Sequence, residues 1–277
     1  MDRSEILRKP SWLKVKKLPP VNDYSFIKSH LNKHGLNTIC ESGSCPNIGE
    51  CWAAKTATFM ILGNICTRNC KFCAVEKGIP NIIDEEEPFR IAKVVADLKL
   101  KHCVLTSVTR DDLPDGGALI WAETVSKIKE LSPGTTIETL VPDFNGDFAS
   151  LDTVILSKPD IISHNLETVK RITPVIRIKA SYELSLEVLR RISDSGVRAK
   201  SGLMLGLGET EDEINAAMVD IFNTGCRILT LGQYLQPTKH NYPVIRYVDP
   251  ADFEKFKHDA CLMGFEFVES GPFVRSS

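Results

Sequence analysis

Six of the chain's nine cysteines lie between Cys40 and Cys73, in the stretch CESGSCPNIGECWAAKTATFMILGNICTRNCKFC. Thiols this close must pair, bind metal or be oxidised, so they constrain everything folded around them. They form two triplets. Cys40, Cys45 and Cys51 are spaced C-x4-C-x5-C, and Cys66, Cys70 and Cys73 are spaced C-x3-C-x2-C. An odd count suits neither a disulfide framework nor the four-ligand shell of a closed zinc site. A cubane iron-sulfur cluster on three thiolates fits better, because it leaves one iron open to chemistry. The alternative from outside enzymology is a colourless binding protein with structural zinc, each site completed by a distant histidine. His30, His34 and His240 stand at no metal-ligand spacing and read as surface or loop residues.

The second triplet, with Phe72 inside CTRNCKFC, matches the signature of radical S-adenosylmethionine enzymes. The first triplet precedes it closely, and the blocks LTSVTRDDLPDGGA, IETLVPDF, HNLETV, KSGLMLGLGET and LTLGQYLQPT follow, with GPFVRSS at the end. Over nearly its whole length the chain resembles the lipoyl synthase family. That resemblance implies two 4Fe-4S clusters. The one on Cys66, Cys70 and Cys73 would bind S-adenosylmethionine at its open iron and generate a 5'-deoxyadenosyl radical. The auxiliary one on Cys40, Cys45 and Cys51 would give up sulfur for insertion at C6 and C8 of a protein-bound octanoyl-lysine, with two S-adenosylmethionine molecules used per lipoyl group.

The implied partners are octanoylated lipoyl carrier domains, namely the glycine cleavage H protein and the E2 subunits of 2-oxoacid dehydrogenases. A reductant such as flavodoxin or ferredoxin and an iron-sulfur carrier that rebuilds the auxiliary cluster complete the set. The family's fourth auxiliary ligand is the serine before the tyrosine of an R-S-S-Y motif. Here Arg275-Ser276-Ser277 correspond and no tyrosine follows, so the role carries to Ser277, with Ser276 as the alternative. A hard oxygen matches iron less well than a thiolate, which makes this the bond expected to break first. A second departure is VIRIKASY, where the family has proline after the arginine; Arg177 itself is kept.

A radical methylthiotransferase acting on RNA or ribosomal protein is the runner-up. Such enzymes append a nucleic-acid-binding β-domain, and neither that domain nor a basic face is visible in the sequence. A net charge of -2 gives no global drive towards nucleic acid or membrane. No apolar run approaches the ~20 residues that span a bilayer, and the start MDRSEILRKPSWLKVKKLPP lacks an apolar core followed by a cleavage site. A reducing, cytoplasmic location is therefore expected, as thiolate ligands also require.

From Ala57 short apolar runs alternate with amphipathic stretches, which predicts an α/β fold built from βα units on a parallel sheet. Strands are expected near Thr58–Leu62, Cys103–Ser107, Thr136–Leu140, Asp160–Ser163, Val197–Leu205 and Arg227–Leu231, making a partial (β/α)6 TIM-type barrel. The expected division is residues 1–55 as an N-terminal extension with the auxiliary ligands, 56–240 as the barrel, and 241–277 as a C-terminal extension with the serine ligand. Pro88 should open a helix, and Thr210 with Glu213 forms a capping box for another. Asp23 caps an expected helix to Lys33, stopped by Gly35; Pro250–Met263 reads as a helix, Phe265–Val268 as a short run, and GPFVRSS as a lid. Lys9, Lys14, Lys16 and Lys17 mark residues 1–22 as a solvated tail, or as an arm offering positive charge to an acidic carrier.

In parallel barrels functional groups gather at the carboxyl ends of the strands, where each of these blocks falls. Thr106, Ser107, Glu138, Asn165, Arg177, Lys200, Gly206 and Gly208 are the candidates there for cofactor contact. Arg177 best suits a carboxylate, which its planar fork grips at two points. Glu138 and Lys200 read equally as an interior ion pair, and the two glycines as a turn before a helix. Cys103 and Cys226 are assigned to the core, and Trp52 to shielding a cluster.

Overall fold

In the computed structural model, which describes residues 7–13, 29–31, 33–42, 45 and 47–275, the apolar runs join one eight-stranded sheet. In chain order β1 (Asn37–Thr38), α1 (Ile39–Ser42) and α2 (Ile48–Ala53) carry the first triplet. Next come β2 (Thr56–Ile61), a small pair β3 (Ile65–Cys66) and β4 (Glu76–Lys77), α3 (Glu87–Asp97) and β5 (His102–Ser107). The alternation continues through α4 (Ala118–Leu131), β6 (Thr136–Leu140), α5 (Phe148–Leu156), β7 (Ile161–Ser163), α6 (Thr173–Ile176), α7 (Tyr182–Asp194) and β8 (Arg198–Leu205). The chain closes with α8 (Glu211–Phe222), β9 (Ile228–Gln233), α9 (Pro250–Met263) and β10 (Phe267–Gly271).

The sheet order is β1-β2-β5-β6-β7-β8-β9-β10, with β1 antiparallel on β2 and every other pairing parallel. This is the expected partial TIM-type barrel, and each of the six expected strands is present. The run near Phe265 goes further than expected. It forms β10, a seventh parallel strand that pairs with β9 from Phe267↔Ile228 to Gly271↔Gly232.

Central strands such as β5 are buried along most of their length because helices cover one face and the barrel interior the other. Val94 and Val95 of α3, Trp121 and Val125 of α4, Leu189 and Ile192 of α7, and Met218 and Ile221 of α8 supply the covering layer. Cys103 and Cys226 are fully buried within it, and burial pushes both thiols up, Cys226 to about 11. Cys261 is exposed.

Local signals place the helix ends. Pro88 sits in the first turn of α3, and Thr210 and Glu213 exchange the two hydrogen bonds of a capping box at α8. Asp249 caps α9, which ends at Gly264 in the left-handed region (φ +102°). Residues 29–31 and 33 are helical and stop at Gly35 (φ +61°); Asp23 lies outside the described residues. Of the N-terminal arm, Ser11–Leu13 makes a 3-10 turn that buries Leu13, and Lys9 is exposed. Lys14, Lys16 and Lys17 lie outside the described residues.

Candidate active site

β3 carries Cys66 directly after β2, and the loop that follows is laced to the loop after β5. Thr67 donates to the Thr109 carbonyl from both its N–H (3.1 Å) and its hydroxyl (2.9 Å), and Asp111 N–H donates to Thr67 Oγ1 (3.1 Å). Cys66 Sγ accepts from the backbone N–H of Arg68 (3.4 Å) and of Thr109 (3.3 Å), and Cys73 Sγ from that of Val75 (3.5 Å). Burial pushes the Cys70 thiol up to about 11 against the pull of Arg177, and raises Cys73 too. These two thiols therefore hold their protons until a metal displaces them. Three thiols, two of them with backbone N–H groups trained on sulfur, suit an iron-sulfur cluster, whose sulfurs are tuned by such bonds. Among the described residues no three His, Cys, Asp or Glu side chains converge on a single-ion site.

All three thiols border a cavity of about 310 Å3 at the carboxyl ends of the strands. Thr106, Ser107, Asn165 and Arg177 line it, as expected of site residues at strand ends, and Met60, Leu140, Val141 and Met204 give it apolar walls. Arg177 donates to the Leu166 carbonyl and to Ser185 Oγ, both at 3.1 Å, so its position is set without the proline expected after it.

Four candidates stand elsewhere. Lys200 Nζ reaches both carboxylate oxygens of Glu138 (2.8 and 3.0 Å), and Ser163 Oγ adds a third bond (2.6 Å), forming an ion pair inside the barrel. Burial raises the Glu138 pKa, but the facing His102 (3.6 Å), Lys200 and Ser163 outweigh it and the net shift is downward. Gly206 and Gly208 have φ near +104° and +103° in the turn after β8, where Glu209 caps the N–H of Gly206 and, at 2.8 Å, that of Leu207. A Cβ on Gly206 would lie 2.3 Å from Gln233 Nε2 and 2.5 Å from the Arg246 carbonyl, so the glycine is required by packing.

Arg68, Asp143, His164 and Glu167 also line the cavity and were not singled out from sequence, although HNLETV and VPDF directly follow strands. His164 Nδ1 bonds the Val141 carbonyl (2.9 Å), and its buried Nε2 meets no protein partner. Burial and then the charge of Arg177 pull its pKa down to about 4, so the ring is neutral with Nε2 as an acceptor. Burial raises the Glu167 carboxyl.

The first triplet approaches the same cavity. Ile39, next to Cys40, is one of its walls. Cys45 N–H donates to the Cys40 carbonyl (3.0 Å), Cys51 sits on α2, and burial pushes Cys40 up to about 11 and raises Cys51. The C-terminal segment returns here. Asn47 Nδ2 donates to the Phe273 carbonyl (2.6 Å), and the Val274 carbonyl lies where a Cβ on Gly232 would be (2.3 Å). Arg275, whose pKa burial lowers, donates through Nη1 to the carbonyls of Val274 (2.6 Å) and Gln233 (3.4 Å). Ser276 and Ser277 lie outside the described residues.

Residues 60–221 match the radical SAM superfamily. The chain is 51% identical over 270 residues to a lipoyl synthase of Flavobacterium johnsoniae, covering 97% of this chain and 93% of that one. It is 52% identical over 277 residues to a lipoyl synthase of Bacteroides fragilis, covering 100% and 96%. The chain belongs to the lipoyl synthase family. The mitochondrial lipoyl synthase of Nematostella vectensis is 53% identical over 270 residues, covering 97% and 92%. Among solved structures HydG, a maturase of the [FeFe]-hydrogenase, superposes with a TM-score of 0.61 at 14% identity, over 90% of this chain and 57% of that one. Streptococcus suis SuiB bound to its precursor peptide gives 0.61 at 12%, over 96% and 57%. These two show the fold alone. Membership in the lipoyl synthase family brings S-adenosylmethionine and 4Fe-4S clusters as cofactors.

Proposed function

We propose that this chain is a lipoyl synthase that inserts two sulfur atoms, at C6 and C8, into an octanoyl-lysine on a lipoyl carrier domain. Cys66, Cys70 and Cys73 hold the cluster that takes S-adenosylmethionine, which together supply hydrogen-atom abstraction from C–H bonds too weakly acidic for any base. Thr106, Ser107, Asn165 and Arg177 bind and orient that cofactor, and the apolar walls exclude water and seat the acyl chain. Cys40, Cys45 and Cys51, with Ser277, hold the sulfur substrate, a second 4Fe-4S cluster consumed in the reaction. The segments before β2 and after β9 thus present this substrate to the barrel, rather than standing apart from a barrel of 56–240, since β1 and β10 join its sheet at the two edges.

The observation that carries the reading is that Ile39, beside Cys40, walls the cavity bordered by Cys66, Cys70 and Cys73. That opening has a wall beside the first triplet, which supports a reading in which successive abstraction and sulfur capture act on one acyl arm. The carriers are the glycine cleavage H protein and the E2 subunits of 2-oxoacid dehydrogenases. Flavodoxin or ferredoxin supplies electrons, and an iron-sulfur carrier rebuilds the spent cluster. Among the described residues no helix is long and apolar enough to cross a membrane, in keeping with carriers and donors met in the cytoplasm.

Anaerobically reconstituted protein should be brown with about eight irons, the content of two cubanes. Cys66→Ala should abolish 5'-deoxyadenosine formation, whereas Cys45→Ala should keep it and lose lipoyl product. Zinc without visible absorption, or lipoyl product from Cys45→Ala, would overturn the reading.

A further inference from the structure

Arg68 lies inside CTRNC, between two cysteines of the second triplet, yet it is only 6% exposed. Its Nε and Nη2 grip Asp111 (2.9 Å each), and Nη1 and Nη2 grip Asp143 (2.8 and 2.7 Å). Nη2 also donates to Asn145 Oδ1 (2.6 Å), and Asn145 Nδ2 returns to Asp111 Oδ1 (3.0 Å). Asp111 comes from the loop after β5; Asp143 and Asn145 come from the loop after β6. The second of these loops is strained: Phe144 (φ +46°) and Asn145 (φ +52°) are successive non-glycine residues in the left-handed region. Phe144 in turn leans on Gly116, where a Cβ would stand 2.9 Å from its ring.

Buried charge and backbone strain both cost stability, so their convergence around the cysteine loop calls for a function. The loop they fix is the one whose Arg68 N–H, with Thr109 N–H from the loop it is laced to, points at Cys66 Sγ. Hydrogen bonds to ligand sulfur stabilise the more negative, reduced state of a cluster and raise its potential. We infer that Arg68 is a positioning residue: it clamps the cysteine loop between the loops after β5 and β6, and so sets the reduction potential of the cluster on Cys66, Cys70 and Cys73. The inference rests on the functional reading above and assigns a role to the VTRDD and VPDF blocks.

The test is a potentiometric titration of the full, reconstituted chain, following the part of the reduced-cluster electron paramagnetic resonance signal that responds to S-adenosylmethionine. Arg68→Lys keeps the charge but loses the fork. It should lower the reduced-to-oxidised ratio at fixed potential about ten-fold, a shift of about 59 mV to more negative values for one electron. Asn145→Gly relieves the positive φ while removing the acceptor for Arg68 and the donor to Asp111, so the fold should survive; its shift should be smaller and in the same direction. Both variants titrating at the unaltered potential would overturn the role of Arg68, and Asn145→Gly decides alone if Arg68→Lys fails to fold. Absence of any S-adenosylmethionine-responsive signal in the unaltered chain would overturn the functional reading itself, and the inference with it.

Discussion

The side-chain amide of Asn47, inside the first triplet, donates to the carbonyl of Phe273, 226 positions along the chain, at 2.6 Å. It ties the loop on the β1 edge of the open sheet to the segment that follows β10 at the opposite edge. Removing it as Asn47→Ala should free the C-terminal segment from the loop of the first triplet. Roughly half the iron, one cubane of two, should then be lost on gel filtration, while 5'-deoxyadenosine formation persists. Iron analysis and product assay on one sample check this.

The Glu138–Lys200 pair makes a stability prediction with a definite sign. Lys200→Met strands a carboxylate that is 2% exposed and should cost about 3–5 kcal/mol in denaturant unfolding, more than the double variant with Glu138→Gln. Because the folded carboxyl titrates below its unfolded value, its contribution is present above the ordinary glutamate range and lost as pH falls through the folded pKa. The stability gap between the unaltered chain and Glu138→Gln should therefore narrow on acidification below that range.

His164 has the opposite chemistry and the same slope. With its folded pKa near 4, the unfolded chain binds the proton first, so stability falls as pH drops from about 6.5 towards 4. The full penalty is ~3 kcal/mol. His164→Asn should flatten the acid limb of unfolding free energy against pH across that window.

Two glycines with nearly the same φ should respond differently to alanine. At Gly206 strain is joined by contacts at 2.3 and 2.5 Å, whereas at Gly208 the nearest atom is 3.5 Å away. Strain alone costs about 1–3 kcal/mol. Gly206→Ala should exceed that and Gly208→Ala should fall within it, as read from denaturation midpoints.

The strands of the barrel were legible because a strand buried on both faces is a continuous apolar run. β10 was harder to read, since it alternates Phe267 at 55% exposed with Val268 at 6% and sits at the edge. The six cysteines announced themselves by number and spacing. Arg68 did not, because its aspartate partners stand 43 and 75 positions away and only the sheet order makes them neighbours. Glu138 and Lys200 were visible as polar residues on strands, but position on a strand does not say which neighbour a side chain faces. The end of the sequence, Ser276 and Ser277, is legible only through family resemblance.

The central claim is that a cluster on the first triplet is the sulfur source for an acyl arm in the cavity bordered by the second. Reconstituting the chain with heavy-isotope sulfide, exchanging into unlabelled buffer and running a single turnover on an octanoyl-lysine peptide with S-adenosylmethionine and a strong reductant tests it most directly. Mass analysis should show lipoyl-lysine with both sulfurs heavy, and none from Cys45→Ala. Lipoyl product carrying only light sulfur would contradict the account.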